Sequence, residues 1–292
     1  MSRTIPKDFS IHTMTCSFLA FTDTSQPVYY RVQRTSDRRS YIAREVKAEQ
    51  NGRVVFISTC NFCLTGSSNT SGILHQPKLS PTATERLATL SVPPASEKAL
   101  TEKIVVIPMS QSTSHSTNYS KVLSDFLTAF GPNITQADVD PFVSYDLPPK
   151  LTSETTPSVS TLPSWTQCRG VMSDSPSSNL AVLACLSDAW FLNSVPAMAP
   201  ATFGEQGEQV AFMTTLNHTI WFHDPQVKVD DWLLSEKGIT WAAANRCLID
   251  RRLWSKDGKL VATCVQEGAL RLKENTSRKG RGEQGLIDGS KL

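Results

Sequence analysis

The sequence predicts an α+β fold in which antiparallel sheets wrap a central helix. Three features support this prediction: an apolar run without Gly or Pro at 179–195, long strand-like segments after it, and an Asn51-Gly52 dipeptide near the N-terminus. An apolar run of this length is typical of a buried helix, and an antiparallel sheet offers one face to cover it.

The apolar run is predicted to be a helix that is covered on more than one side. Its apolar side chains fall on one helical face and continue onto the opposite side, as Leu180, Leu183, Ala184, Trp190 and Phe191, with Val182 and Leu186 opposite. Strands predicted at about 209–223, 240–254 and 259–272 would supply the cover, the last two joined across Lys256-Asp257-Gly258. We also expect a strand at about 165–171.

The N-terminal region, 28–62, is predicted to form strands. Ile42, Val46 and Ala48 share one phase of a polar-apolar alternation, which is typical of a half-buried strand. Asn51-Gly52 favours the positive φ angles of a tight hairpin turn. When this turn is superimposed on Asp257-Gly258, the residues that follow also match in character, which suggests two copies of one module.

The segment between these regions is rich in Ser, Thr and Pro, which is typical of a surface linker. Within it, the apolar spacing at 122–130 favours a short helix. The predicted division is therefore an N-terminal module at 1–64, a linker at 65–164, a C-terminal module at 165–273 and a flexible tail at 274–292.

Composition limits the classes of partner. The chain has 292 residues, with 29 Lys or Arg against 27 Asp or Glu, so it has no strong field to attract nucleic acid or an anionic membrane. No apolar run reaches the roughly 18–20 residues of a membrane span, and no secretory signal precedes the first strand. We expect a soluble intracellular protein, with a small-molecule substrate or a protein as its partner.

The cysteines predict neither a disulfide framework nor a metal site. Their number, seven, is odd, which in an intracellular protein favours free thiols. Cys60 and Cys63 have the spacing of a redox or metal pair, but no second pair follows, so a structural role is predicted. We expect no metal and no other cofactor.

The last three residues, Ser290, Lys291 and Leu292, form a peroxisomal targeting signal that an import receptor reads at a free C-terminus. The charged, Gly-rich residues before them favour an exposed tether. Peroxisomal localisation is therefore predicted, with the import receptor as a protein partner.

One stretch in the C-terminal half carries a specific resemblance. Residues 215–223, Thr-Leu-Asn-His-Thr-Ile-Trp-Phe-His, closely resemble the Ser-Leu-Asp-His-Ser-Met-Trp-Phe-His signature of the type II acyl-CoA thioesterases. Further matches follow in the family's order: Trp232-Leu233-Leu234, Arg252-Leu253-Trp254, Asp257-Gly258, Val265-Gln266-Glu267-Gly268 and Arg271, with Ser187-Asp188 fitting the family's helix. The resemblance implies a double hotdog fold and hydrolysis of an acyl-CoA or related thioester to the free acid and CoA.

The resemblance also implies three catalytic positions, which fall on Asn217, Thr240 and Gln266. In the family, an Asp at the first position takes a proton from the attacking water, while a hydroxyl and an amide orient that water. Here Asn217 replaces the Asp, and an amide cannot accept the proton. The neighbouring His218 is a candidate replacement, but adjacent strand residues point to opposite faces, so His218 is expected to face away from Asn217.

A second departure concerns the N-terminal module. Family members have a further strand and a long helix before the position of His12, so the first hotdog is expected to be truncated at its N-terminus. Either the linker or a partner chain fills the space, or the module is a remnant that shields the second one. Exposed sheet edges need covering, which favours a homo-oligomer.

The sequence therefore supports two hypotheses for the function. The first is an active acyl-CoA thioesterase that acts through activated water. The alternative is a catalytically impaired or repurposed hotdog protein that binds acyl thioesters or partners another thioesterase.

Overall fold

The computed structural model describes residues 4–65, 75–81, 84, 142–146, 161–168, 172, 174–189, 191–192, 195 and 210–272. Within these ranges the bounded elements are ten strands and one helix. In chain order they are β1 (Phe9–Phe18), β2 (Tyr29–Asp37), β3 (Tyr41–Gln50), β4 (Arg53–Leu64), β5 (Phe142–Asp146), β6 (Thr161–Cys168), α1 (Pro176–Asp188), β7 (Val210–Phe222), β8 (Leu233–Ala243), β9 (Arg246–Ser255) and β10 (Leu260–Leu272).

The strands form one sheet in the order β2-β3-β4-β1-β7-β10-β9-β8-β6-β5. All neighbouring strands are antiparallel. The halves meet where β1 pairs with β7, from Thr13 opposite Trp221 to Ser17 opposite Asn217. Counted outward from this junction, the first four strands on each side follow in the same relative order, and β6 and β5 extend the C-terminal side. The two-module repeat that the sequence suggests stays a prediction, taken up below as a proposal.

The two predicted turns are confirmed, and one predicted strand is wrong. Asn51 and Gly52 have φ angles of 51° and 74° between β3 and β4, and Gly258 has a φ of 80° before β10. The stretch 240–254, predicted as one strand, is instead the hairpin of β8 and β9. Its turn lies at Ala244 and Asn245, with φ angles of 49° and 59°. Asn tolerates this conformation, but Ala rarely adopts it, so Ala244-Asn245 is difficult to recognise as a hairpin turn from the sequence.

The helix is shorter at its C-terminus than the apolar run predicts. It begins at Pro176, a residue favoured in the first turn of a helix, and ends at Asp188, because Ala189 is extended with a ψ of 128°. Leu183 and Leu186 are fully buried against the sheet, whereas Ala181 and Cys185 are exposed. Among the described residues, the helix is therefore covered along the face that carries Leu183 and Leu186, with Val182 partly buried beside them, and it is open at Ala181 and Cys185. Trp190 lies outside the described residues.

A buried arginine completes the end of this helix. The Arg251 side chain on β9 is fully buried, and its NH1 group donates to the carbonyl oxygens of Leu186, Ser187 and Ala189 at 2.9, 3.1 and 3.2 Å. Its Nε donates to Ser235 Oγ at 2.8 Å. The final carbonyls of a helix have no partner within the helix, and a cation also matches the negative end of its dipole. Arg251 therefore fixes α1 onto the sheet.

The alternation predicted for β3 is confirmed and includes one polar residue. Ile42, Val46 and Ala48 are buried, and so is Arg44, which shares their phase. The Arg44 guanidinium donates to the backbone oxygens of Ala43, Ser36 and Thr4, at 2.8, 3.1 and 2.9 Å, and is paired with Asp37. These partners satisfy the guanidinium, which allows its burial.

Part of the predicted linker is ordered structure. The strand predicted at 165–171 is β6, which begins at Thr161 and pairs with β5, so the boundary expected at 164/165 falls inside a strand. Gln76 also binds the C-terminal half: its Nε2 donates to Gly258 O at 3.0 Å, and its Oε1 accepts from Leu260 N at 3.1 Å. The helix predicted at 122–130 and the tail at 274–292 lie outside the described residues.

No helix in the described part of the chain has the length and apolar character to cross a membrane.

Candidate active site

Asn217 lies on the exposed face of the sheet, at the junction of the two halves. Its Nδ2 donates to Glu267 Oε2 at 2.9 Å, and its Oδ1 accepts from Ser17 Oγ at 2.9 Å. Arg246 NH1 pairs with the other Glu267 oxygen at 2.8 Å. Ser17, Asn217, Glu267 and Arg246 thus form one continuous line of polar contacts, here called the outward row.

Thr240 lies at a bulge in β8, between Ile239 and Trp241, and its Oγ1 donates to Asp250 Oδ1 at 2.9 Å. The neighbouring Trp241 is separated from Asn217 by β9 and β10, which is three strand spacings or about 14 Å. Direct contact between the Thr240 and Asn217 side chains is therefore excluded in this arrangement.

Gln266 lies on the opposite, helix-facing side of the sheet and is 1% exposed. Its Nε2 donates to Thr215 Oγ1 at 2.5 Å. Because Asn217 is paired with Glu267 and His218 with Gln266, strand alternation places Asn217 and Gln266 on different faces. The structure therefore does not bring the three predicted catalytic side chains together, and the role assigned to them remains a prediction from the resemblance.

His218 faces away from Asn217, as strand alternation predicts, and toward the helix. It is 2% exposed, and its Nε2 lies 2.9 Å from Ser187 Oγ on α1. Ser187 Oγ in turn donates to Ala184 O at 2.7 Å. Ser187, Thr215, His218 and Gln266 are here called the inner cluster. Within the inner cluster, His218 on β7 is the cross-strand neighbour of Gln266 on β10, the glutamine position that the resemblance assigns to catalysis.

Two atoms of the inner cluster have no hydrogen-bond partner among the residues that the structure describes. These are His218 Nδ1 and Gln266 Oε1, both buried. Directly opposite residues of an antiparallel pair have Cβ atoms about 4.5–5.5 Å apart, so the two side chains stand side by side. A buried acceptor without a donor costs about 1–3 kcal/mol, which makes this pair a favourable place for a donor from outside the chain.

Burial governs the charge state of the inner cluster. It is the largest effect on the pKa of His218 and lowers it, with a smaller lowering from Arg251. The Asp188 carboxylate and the hydrogen bond that the Gln266 side chain accepts from the protonated ring act in the opposite direction. The net shift is downward, so His218 is neutral at pH 7 and retains a basic nitrogen.

The nearby cysteines are poor nucleophiles at neutral pH. Burial raises the pKa of Cys16, the β1 residue opposite His218, to about 11, and it raises the pKa of Cys264 to about 12. Both are therefore protonated, and thiolate chemistry is not supported at these positions. Burial also raises the pKa of Cys60 and of Cys63. No group of three His, Cys, Asp or Glu side chains in the described ranges has the arrangement of a metal site.

A large groove opens beside the inner cluster, with a volume of about 1030 Å³. Its N-terminal wall is the inner face of β1, β3 and β4, where most of the lining residues are apolar. The opposite wall comes from α1 and β7. At that wall the lining changes from apolar to polar, with Asp188, Thr215 and His218. The groove thus joins an apolar surface to the inner cluster, and we refer to it as the apolar groove.

The sequence alone did not identify the inner cluster as a unit. Ser187, Thr215 and Gln266 all lie in segments that carry the family resemblance, and His218 follows the family position directly. Their convergence depends on the register of β7 against β10 and on a bulge that leaves Leu216 without a partner between Thr215 and Asn217. Neither the register nor the bulge can be predicted from the local residue pattern.

The chain resembles known proteins over almost its whole length. It is 29% identical to acyl-coenzyme A thioesterase 8 of Rattus norvegicus over 277 residues. This alignment covers 94% of this chain and 78% of the relative. It is 26% identical over 273 residues to acyl-CoA thioesterase 2 of Haemophilus influenzae, covering 92% and 82%.

Solved structures support the fold. An acyl-CoA thioesterase II from Mycobacterium marinum aligns with a TM-score of 0.65 at 22% identity, covering 93% of this chain and 84% of that one. A protein described as having a hot dog fold, from Alicyclobacillus acidocaldarius, aligns with a TM-score of 0.53 at 16% identity, covering 89% and 78%. The architecture is therefore a hotdog fold.

Two family models divide the chain between them. The model for the acyl-CoA thioesterase N-terminal domain matches residues 1–63, and the model for the acyl-CoA thioesterase C-terminal domain matches residues 115–270. The second match alone covers more than half of the 292 residues. The chain therefore belongs to the acyl-CoA thioesterase family.

Proposed function

We propose that this protein hydrolyses an acyl-CoA to a free acid and CoA with an activated water molecule. The observation that carries the proposal is the junction of the apolar groove with the inner cluster. An acyl chain needs an apolar surface, and the thioester needs a polar group that orients water. The groove has an apolar part that adjoins a polar part. Thr215 and His218 lie in the polar part of its wall, and Gln266 is hydrogen-bonded to Thr215.

In this proposal Gln266 orients the water, in keeping with the family role of its position. Its Oε1 is the buried acceptor that has no partner among the described residues. Asn217 and Thr240 keep the roles that the resemblance implies only as a prediction, because their side chains are bonded within the outward row and to Asp250, away from the groove.

Release of free thiol from a panel of acyl-CoAs of increasing chain length tests the proposed function directly. The purified full-length protein is expected to release CoA above the background rate for at least one chain length. An absence of release from every member would reject hydrolysis. Thioester binding without hydrolysis is not favoured, because the curated relatives carry the names of enzymes.

A substitution that fills the apolar groove should change chain-length preference. Ala48 lines the groove and is 2% exposed, so Ala48→Phe would project a ring into the space that an acyl chain occupies. We expect the rate with long-chain acyl-CoA to fall by about 10-fold or more, since several buried CH₂ groups lose contact at about 0.8 kcal/mol each. Short-chain substrates are expected to be much less affected.

Thr59→Phe provides the matched control for this prediction. Thr59 on β4 is exposed, on the face opposite its neighbours Ser58 and Cys60, which line the groove. The same bulk added there leaves the groove unchanged. Equal effects of Ala48→Phe on short and long substrates would argue against the groove as the acyl site.

We further propose that the sheet is a double hotdog, with one module on each side of the β1–β7 junction. Residues 4–64 form strands and turns without an α-helix among them, and the inner face of these strands lines the groove. We keep the domain division from the sequence as a proposal with one change: β5, β6 and Gln76 are assigned to the C-terminal module, because β6 pairs with β8 and Gln76 binds Gly258.

The cellular setting is also a proposal. Ser290, Lys291 and Leu292 support import into peroxisomes through the import receptor, which fluorescence microscopy of the chain with and without these residues would test. Among the described strands, β2 and β5 are the outermost and have no further strand beside them, which supports a homo-oligomer. Light scattering measures its mass.

A further inference from the structure

We propose that His218 is the general base of thioester hydrolysis in this chain and that it accepts the proton of the attacking water at Nδ1. This inference rests on the proposed hydrolase function and supplies the group that Asn217 cannot provide. It assigns the base to the helix-facing side of the sheet, on the same face as Gln266.

The contacts of Ser187 determine which nitrogen of His218 is free. A serine hydroxyl has one proton, and Ser187 Oγ donates it to the Ala184 carbonyl at 2.7 Å. The 2.9 Å contact with His218 Nε2 must therefore run in the other direction, with Nε2–H as the donor. A neutral imidazole has only one N–H, so Nδ1 carries the lone pair. This nitrogen has no partner among the described residues.

The second free acceptor completes a site for one water molecule. Gln266 stands opposite His218 in the β7–β10 pair, and its Oε1 is also buried without a partner in the described part of the chain. A water that donates one proton to Nδ1 and the other to Oε1 satisfies both acceptors. Its oxygen lone pairs then remain directed away from these groups, which is the orientation that a nucleophilic water requires.

The reaction balances with water as the only co-reactant. The water oxygen forms a bond to the thioester carbonyl carbon while one water proton passes to His218 Nδ1. The carbon–sulfur bond then breaks, and its electron pair leaves with the CoA sulfur. The imidazolium returns the proton to that sulfur, so the products are the free acid and the CoA thiol, and His218 is neutral again.

Charged and titratable groups around His218 suit this cycle. Asp188 of α1 lines the groove with His218 and favours the protonated ring, which stabilises the imidazolium formed during attack. Arg251 of β9 opposes protonation and so favours return of the proton. Among the described residues, Cys16 on β1 and Cys264 on β10 are further titratable neighbours; burial holds both protonated, so they do not compete for the proton.

The test uses the full chain, the best acyl-CoA from the panel, and His218→Gln. The glutamine amide can still donate toward Ser187 but has no basic nitrogen. We expect kcat to fall by about 10²–10⁴-fold, the usual contribution of a general base, with little change in KM. His223→Gln is the matched control, because His223 lies on the exposed face bonded to Thr263 Oγ1 at 2.9 Å, and it should keep the wild-type kcat.

The pH profile separates a base from a structural histidine. Burial holds the pKa of His218 below its ordinary value of 6.5, and only the neutral ring can accept a proton. The kcat/KM of the wild type is therefore expected to be constant above pH 6.5 and to fall about tenfold per pH unit below the pKa of His218. This acidic limb should be absent from the residual activity of His218→Gln and present in His223→Gln.

Several outcomes would overturn the inference while leaving the hydrolase function intact. One is a wild type that hydrolyses acyl-CoA and a His218→Gln protein that retains its rate or its acidic limb. Another is a rise of 10²-fold or more in Asn217→Asp with no loss in His218→Gln, which would place the base on the outward row. If His218→Gln is misfolded by circular dichroism, His218→Asn replaces it, with the same expected loss of rate and limb. An inactive wild type rejects the proposed function itself.

Discussion

Replacement of Gln266 with methionine is expected to lower kcat for acyl-CoA hydrolysis by about 10²-fold, the order of loss that follows a small misplacement of a reacting group. Methionine has a similar volume and shape, so the buried space stays filled. The Oε1 acceptor and the Nε2 donor to Thr215 are both lost, and the water then has one anchor in place of two. Steady-state kinetics with the best acyl-CoA measures the effect.

Gln50→Met is the control for this prediction because Gln50 is also buried, at 5% exposure, but lies in the N-terminal half. Its amide holds the turn after β1 through Asp23 and Gln26, with contacts of 2.8 and 3.1 Å to their backbone oxygens. We expect an effect on stability and no loss of kcat. Wild-type kcat in Gln266→Met would contradict a role for this amide in orienting water.

Arg251→Met should destabilise the protein by about 3 kcal/mol. The substitution removes the side-chain donor from the carbonyls of Ser187 and Ala189, at about 1–3 kcal/mol for each group left unsatisfied. The Leu186 carbonyl still accepts from Ala189 N at 3.2 Å. Removal of a buried charge offsets part of this cost. The free energy of unfolding, measured by urea denaturation, tests the prediction.

The adjacent Arg252→Met is a closely matched control, since Arg252 is exposed on the other face of the same strand. Exposed substitutions of this kind usually change stability by less than about 0.5 kcal/mol. Equal losses for the two variants would show that the cap formed by Arg251 adds nothing specific. The Arg251 variant should also lose activity, because α1 carries Ser187 and Asp188.

Local patterns were sufficient to predict much of the fold. The β3–β4 hairpin followed from Asn51-Gly52, and the buried phase of β3 followed from its alternation. The turn at Ala244 escaped detection because Ala disfavours positive φ, and long-range packing of the two strands overrides that local preference. The C-terminus of α1 was missed for a similar reason: Arg251, more than 60 residues away in sequence, satisfies its last carbonyls.

The candidate site was predictable only in part. Alternation along one strand correctly turned His218 away from Asn217. The partner that His218 meets instead depends on the register of β10, which is set by tertiary packing and by the bulge at Leu216. A family resemblance assigns a role to each position, but it does not say on which face of the sheet a side chain lies. The separation of Asn217 from Gln266 was therefore found only in the structure.

The junction of β1 and β7 has a consequence for how the protein is made. Ser17 and Asn217, which meet there, are 200 residues apart. At a synthesis rate of about 5–20 residues per second, one edge of β1 waits roughly 10–40 seconds for its partner strand to leave the ribosome. An unpaired edge is a template for pairing with other chains. The newly made N-terminal half therefore exposes an unpaired strand edge during this interval, which raises its tendency to aggregate.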